Sequence, residues 1–320
     1  MIKVERLSKQ YGASKAVDNI SFEVAEHENL ILLGTSGCGK TTTLKMLNRL
    51  IDPTSGSIFI NGEDVTGQPP ELLRRNIGYV LQNNGLFPHY TVAENIAIVP
   101  RLLKWDDKRI KDRMHELVEK LHLPADLLAK YPAQLSGGQQ QRIGLGRALM
   151  ADAPVLLMDE PFGALDNITR AKIQAEFKAL DELQRKTIVM VTHDVQEAFE
   201  LGNRICLMDK GRIVQSGTPA ELLFNPANNF VKDFLQAQRL QLELKALTIQ
   251  NLWDLLPAAT AVQGTEINIR STESVWSAME VLKGSTRQAL LIPSAANEAK
   301  TTTFEQLMAA YHHYQTSLPA

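Results

Sequence analysis

Cysteine is nearly missing from the 320 residues, which hold only Cys38 and Cys206. Two scattered thiols make no disulfide framework, so the small cross-linked secreted folds are excluded and a reducing compartment is the expectation. Long apolar runs are missing too, and none approaches the ~18 residues of a membrane-spanning helix. Work at a membrane is therefore expected to go through a partner. Neither charge is in excess: Lys+Arg number 34 against Asp+Glu 36, a net charge of −2. That leaves no global basic field for nucleic acid or anionic lipid. The opening Met1-Ile2-Lys3-Val4-Glu5 has no signal-peptide pattern, and no leader is expected. With 44% hydrophobic and 22% charged residues, the chain reads as globular and long enough for one large domain and a small one.

One stretch organises the rest. Gly34-Thr35-Ser36-Gly37-Cys38-Gly39-Lys40-Thr41 fits G-x-x-x-x-G-K-[ST], a loop that wraps phosphate. The apolar Leu30-Ile31-Leu32-Leu33 precedes it as a strand, and residues 42–50 follow with helical spacing. Glycines allow close backbone approach, N–H groups line the loop, and the helix N-terminus adds positive potential. Lys40 is expected to reach the β- and γ-phosphates and the Thr41 hydroxyl to hold Mg²⁺.

Other stretches carry chemistry only in combination. Tyr11, in a turn before the loop, suits either stacking on a base or packing. Gln82 ends a strand at 77–81, where a glutamine is usually a solvated amide. Ser136-Gly137-Gly138 stands directly before a helix expected over 139–150, a second anion-binding arrangement. Val155-Leu156-Leu157-Met158 is an apolar strand ending in Asp159-Glu160, a carboxylate pair at the end where α/β sheets carry their chemistry. Asp159 would steady the Mg²⁺ shell and Glu160 would polarise the attacking water. His193 ends the strand after Lys186 and is a γ-phosphate sensor candidate. His115 and His122, on an amphipathic helix expected over 106–121, have no metal-ligand pattern and read as surface or packing residues.

Together these motifs make the first 236 residues resemble an ATP-binding cassette ATPase of the transporter type. The resemblance implies an α/β P-loop fold with a RecA-like core and a helical subdomain, using ATP and Mg²⁺. Onto it map the phosphate loop Gly34 to Thr41 with Thr42, the glutamine-loop Gln82, the signature Leu135-Ser136-Gly137-Gly138-Gln139, Asp159 with catalytic Glu160, the loop ending in Asp166, and the switch His193. Thr41, Gln82 and Asp159 would face Mg²⁺, and Tyr11 falls where the family stacks adenine. The resemblance also implies a head-to-tail pair of chains. Each ATP would touch one phosphate loop and, from the other chain, Ser136, Gly137, Gly138, Gln139 and Asp166.

Within the family, Lys40 to Leu50, Leu86 to Ile96 and Leu102-Leu103-Lys104-Trp105 are similar to importer ATPases for glycine betaine, carnitine or choline. There residues 82–88 would receive a membrane permease at the cytoplasmic membrane face, with an extracellular substrate-binding protein as indirect partner. Residues 237–262 are expected as a linker helix. Residues 263–320 are similar to a single CBS module, an α+β domain for regulation or dimerisation, read as strand, helix, strand and helix. Its Thr303 precedes Gln306 rather than Asp, which departs from the nucleotide-binding pattern. A cassette ATPase acting on nucleic acid is the competing class. The 53 residues between Gln82 and Ser136 hold no sustained heptads, and the charge gives no phosphate-binding stripe, so no nucleic-acid partner is expected.

Overall fold

The structure is a computed structural model that describes residues 1–82, 85–259, 267–284, 289–293 and 299–317. It divides into two compact units, Met1–Thr218 and Pro219–Ala320.

The first unit runs β1 (Ile2–Tyr11), β2 (Ser14–Val24), β3 (Asn29–Gly34), α1 (Lys40–Leu47), β4 (Ser55–Ile60), β5 (Glu63–Asp64), α2 (Pro70–Arg75) and β6 (Ile77–Val80). It continues through α3 (Val92–Leu102), α4 (Asp107–Lys120), α5 (Gly137–Leu149), β7 (Val155–Asp159), α6 (Asn167–Ala179), α7 (Asp181–Gln184), β8 (Thr187–Thr192), α8 (Val195–Leu201), β9 (Arg204–Asp209) and β10 (Arg212–Gly217). The main sheet has the order β10-β9-β3-β8-β7-β6. β3 is parallel to β8 and β9, and β7 is parallel to β6 and β8. Strands covered on both faces need apolar side chains throughout, which is why β7 and β8 are buried along their whole length. This order sets the C-terminal ends of β3, β8, β7 and β6 side by side, so the loops that follow them open on one edge. An antiparallel sheet, β2-β1-β4-β5, packs its apolar face with α1 against β3, β7 and β8 in one core.

α4 starts one residue later than expected, because Asp106 is its cap and accepts from the Arg109 N–H. Its Ile110, Met114 and Leu117 are the buried stripe. α5 begins at Gly137, two residues before the expected start, since Ser136 caps it.

The second unit contains α9 (Pro219–Phe224), α10 (Asn229–Gln236), α11 (Arg239–Ala246), β11 (Ile267–Asn268), α12 (Val275–Gly284), β12 (Leu290–Ile292), β13 (Lys300–Thr302) and α13 (Phe304–Ser317). β11 and β12 are parallel, and β13 joins β12 antiparallel. The compact division at 218 precedes the expected boundary at 236. The stretch expected as a linker is not one helix: Leu244, Leu247, Ile249, Leu252 and Leu256 sink into the second unit's own core, because so many leucines would otherwise stay wet. The expected border at 262–263 and the strand's expected start at Gln288 lie outside the described residues. β13 was not expected, since Lys300-Thr301-Thr302 shows no apolar alternation. Thr303 and Gln306 do form a reciprocal cap on α13. Among the described residues no helix is long and apolar enough to cross a membrane.

Candidate functional site

The phosphate-loop motif turns sharply off the end of β3. Gly34 has φ 153°, and a Cβ there would stand 2.3 Å from the Met208 carbonyl oxygen. Gly39 has φ 105°, and its Cβ would meet the Ala16 carbonyl oxygen at 2.4 Å. Both positions therefore require glycine. Thr35, Ser36 and Gly37 face solvent, while Cys38 is buried and its thiol is pushed up by that burial. Lys40 is only 5% exposed. Its Nζ donates to the carbonyls of Gly34 and Thr35, each at 2.8 Å. Thr41 and the half-buried Thr42 follow in the first turn of α1.

The Thr41 hydroxyl donates to Asp159 Oδ1 at 2.8 Å. Asp159 is 3% exposed, and desolvation pushes its carboxyl above the usual range, with the Thr41 bond acting the other way. Glu160 follows at φ 44°, an unusual left-handed position for a non-glycine residue. Its N–H donates to the Val191 carbonyl at 2.9 Å, which turns the residue toward β8. The carboxylate is then held from two sides. Gln82 Nε2 donates to Oε2 at 3.0 Å, and His193 Nδ1 lies 3.3 Å from Oε1. Gln82 thus meets Glu160 rather than the pair of Thr41 and Asp159.

Three strand ends and one loop therefore bring Lys40, Thr41, Asp159, Glu160, Gln82 and His193 to one edge of the sheet. Tyr11 ends β1, is 52% exposed and has Lys9 Nζ 5.1 Å from its ring centroid, so it is not a core residue. Ser136 and Gln139 cap each other: the Ser136 N–H donates to Gln139 Oε1 at 2.9 Å, and the Gln139 N–H to Ser136 Oγ at 3.3 Å. Ser136 and Gly137 stay exposed. Asp166 caps α6 by accepting from the N–H groups of Thr169 and Ile168, and the Thr169 bond first of all holds its carboxyl low.

Sequence reasoning missed Glu197. It lies in the first turn of α8, where an acid usually serves the helix dipole in solvent, yet it is 4% exposed. Thr192 Oγ1 bonds to its Oε2, and among the described residues Oε1 has no partner. Burial pushes the carboxyl from its ordinary range near 4.5 up to about 7. The one sequence signal is Leu201, buried one helical turn later. The folded chain therefore holds a proton that the unfolded chain has already released, and its stability falls as pH rises from about 4.5 through about 7. Glu197→Gln removes that slope, a difference on the order of 3 kcal/mol between the ends of the window. Urea midpoints of parent and variant across pH 4–8 check this. Parallel curves would contradict it.

Comparison with known proteins fits the same geometry. A family profile described as ABC transporter matches residues 17–163. The chain is 46% identical over 301 residues to the glycine betaine/carnitine/choline transport ATP-binding protein OpuCA of Bacillus subtilis, spanning 94% of this chain and 77% of that one. It is 50% identical over 274 residues to the osmoprotectant import ATP-binding protein OsmV of Salmonella typhimurium, spanning 84% and 72%. A dimeric ATP-binding cassette solved in a post-hydrolysis state with ADP and Pi superposes with a TM-score of 0.61 at 32% identity, covering 68% of this chain and 98% of that one. A strand-loop-helix phosphate site, a parallel sheet that presents it and a near full-length match to transport ATP-binding proteins agree: the chain belongs to the ATP-binding subunits of ABC transporters and is an ATPase of that fold.

Proposed function

We propose that this chain is the ATP-hydrolysing motor of an importer for quaternary ammonium osmolytes such as glycine betaine, carnitine or choline. The observation that carries the motor role is Glu160, fixed between Gln82 and His193 beside the Thr41 hydroxyl and the Asp159 carboxylate. The solute follows from the relatives' names. In this reading Lys40 and the loop N–H groups hold the phosphates and Tyr11 stacks on adenine. Glu160 takes the proton of the attacking water, while His193 steadies Glu160 and faces the γ-phosphate. Thr41 and Asp159 are hard oxygen donors, and a buried carboxylate pushed up by desolvation gains from a nearby cation, which fits Mg²⁺. Bound with the nucleotide, Mg²⁺ would neutralise charge on the β- and γ-phosphates.

The partners follow from what the site leaves open. A second copy supplies residues 136–139 and Asp166 to each ATP; the dimeric cassettes among similar structures support this pairing. The membrane permease docks on the turn after Gln82, placing the chain at the cytoplasmic membrane face, with a substrate-binding protein outside. Support comes from the exposed Phe87 and Tyr90, which form one aromatic cluster with His89. Asn83 and Asn84 of that region lie outside the described residues. The turn is held from within by fully buried Asn95, which accepts from the Phe87 N–H at 2.7 Å and donates toward the carbonyls of Phe87, Tyr90 and Thr91. The tail regulates by CBS-like pairing between chains, which the small α+β sheet of the second unit supports.

Uptake of labelled betaine, carnitine and choline at high osmolarity, in cells whose only copy is the test protein, tests this reading. Uptake is expected to require the chain. Asn95→Ala should lower uptake by about tenfold, because buried N–H and C=O groups lose their partners and the docking turn loosens. Its ATPase in purified form should stay within about twofold. Uptake that persists without the chain would end the osmolyte assignment.

A further inference from the structure

The first turn of α6 touches three functional segments at once. On one side it lies against the signature glycines at the start of α5. A Cβ on Gly138 would stand 3.0 Å from Thr169 Cγ2 and 3.1 Å from Ile173 Cδ1, and one on Gly137 would stand 3.8 Å from Leu165 Cδ2. On the second side the turn is continuous with the loop 164–166, since Asp166 caps it and its carbonyl accepts from the Arg170 N–H at 2.8 Å. On the third side Arg170 reaches the switch. Its Nη2 donates to the Leu165 carbonyl at 2.9 Å, and its Nη1 lies 3.3 Å from Asp194 Oδ2.

Asp194 is the residue after His193, and little around it is free to move. Its Oδ1 accepts from the N–H groups of Gln196 and Glu197, and its own N–H donates to Thr192 Oγ1 at 3.0 Å. Thr192 in turn bonds to buried Glu197. Both neighbours of His193 are thus fixed, and Arg170 is the link from that turn to the loop 164–166. A guanidinium fork can hold a carbonyl and a carboxylate in two directions at once, which an ammonium does less well.

We propose that Arg170 is a positioning residue that couples the two nucleotide sites: a change at the loop 164–166 and the signature glycines, caused by the partner chain's ATP, shifts the turn that carries His193. This rests on the two-chain reading above. Energetic coupling of this kind needs a contiguous network and a measured coupling term. Here the network is three bonds long, from Leu165 through Arg170 and Asp194 to the turn.

The test is ATPase rate against ATP concentration for the full purified chain, its Arg170→Gln, Arg170→Lys and Asp194→Asn variants and the double variant Arg170→Gln/Asp194→Asn. Asp194→Asn keeps the cap oxygen and so keeps α8 folded. The parent is expected to be cooperative. Both Arg170→Gln and Asp194→Asn should bring the Hill coefficient toward unity and lower kcat by about fivefold or more, the lower end of coupling between sites. Binding of a fluorescent ATP analogue to the isolated chain should be unchanged. Arg170→Lys should fall between, and the double variant should be no worse than either single one. A cooperative parent whose variants stay cooperative, or losses that add in the double variant, would overturn the coupling alone. A parent without cooperativity would overturn the two-chain reading and the coupling with it.

Discussion

Lys40→Ala is expected to abolish ATP turnover while leaving a folded chain. In the structure the ammonium is buried and donates to the carbonyls of Gly34 and Thr35, with the Cys38 sulfur 3.8 Å away. No carboxylate is within salt-bridge distance of it among the described residues, so its charge has no anionic partner until phosphate arrives. A buried cation without a counter-ion contributes little to stability, and its removal should cost the fold about 1 kcal/mol or less. Its removal costs the nucleotide much more. A charge-assisted bond to phosphate is worth about 1.5–3 kcal/mol, so ATP binding should weaken by roughly tenfold to a hundredfold. Charge that grows on the transferring phosphoryl group would also lose a fixed cation, which adds on the order of 10²–10³ in kcat. Neither Thr41 nor Thr42 can replace a positive charge. Nucleotide titration and phosphate release on the purified variant check both numbers, with urea unfolding as the control. Undiminished hydrolysis would remove the phosphate-loop assignment.

Much of this site is legible in sequence because its backbone requirements are local. The glycines at 34 and 39 are dictated by carbonyl oxygens only 2.3–2.4 Å from where a Cβ would stand. The apolar runs before Gly34, Asp159 and His193 are dictated by burial on both faces of a parallel sheet. What the sequence does not reveal is long-range. Gln82 is 78 positions from Glu160, and nothing local distinguishes it from a solvated amide until β6 is placed beside β7. Glu197 resembles an ordinary helix-start acid, and only the packing of α8 buries it. Arg170 has the look of a surface arginine on an amphipathic helix. The tail misled for a related reason. Residues 239–256 are leucine-rich enough for a helix of their own, but a short α11 and a 3-10 turn over Ile249–Leu255 fold back into the second core instead.

Glu160→Gln should also lower turnover steeply, but with ATP binding intact. The substitution keeps the size of the side chain, its left-handed backbone and an oxygen that can accept from Gln82 Nε2, so the local frame should hold. It removes only the negative charge. Asp159 is buried and bonded to Thr41, and in the proposed reading it serves the metal side of the site. His193 lies against Glu160 itself and is placed to steady that carboxylate rather than to replace it. If Glu160 is the general base, as proposed, the attacking water loses it, and kcat should fall by on the order of 10²–10⁴. Lys40, Thr41 and Tyr11 are untouched, so nucleotide affinity should change by less than about threefold. If two chains sandwich two ATP molecules, unhydrolysed ATP holds them together, and ligand that binds only the paired state stabilises it by mass action. The variant should then elute as a dimer with ATP and Mg²⁺ and as a monomer without nucleotide, whereas the parent should dimerise only transiently. Size-exclusion chromatography in both conditions, beside a phosphate-release assay, separates the two claims. Parent-level hydrolysis would move the catalytic role to His193, and a slow variant that stays monomeric with ATP would leave Glu160 as the base but end the two-chain sandwich.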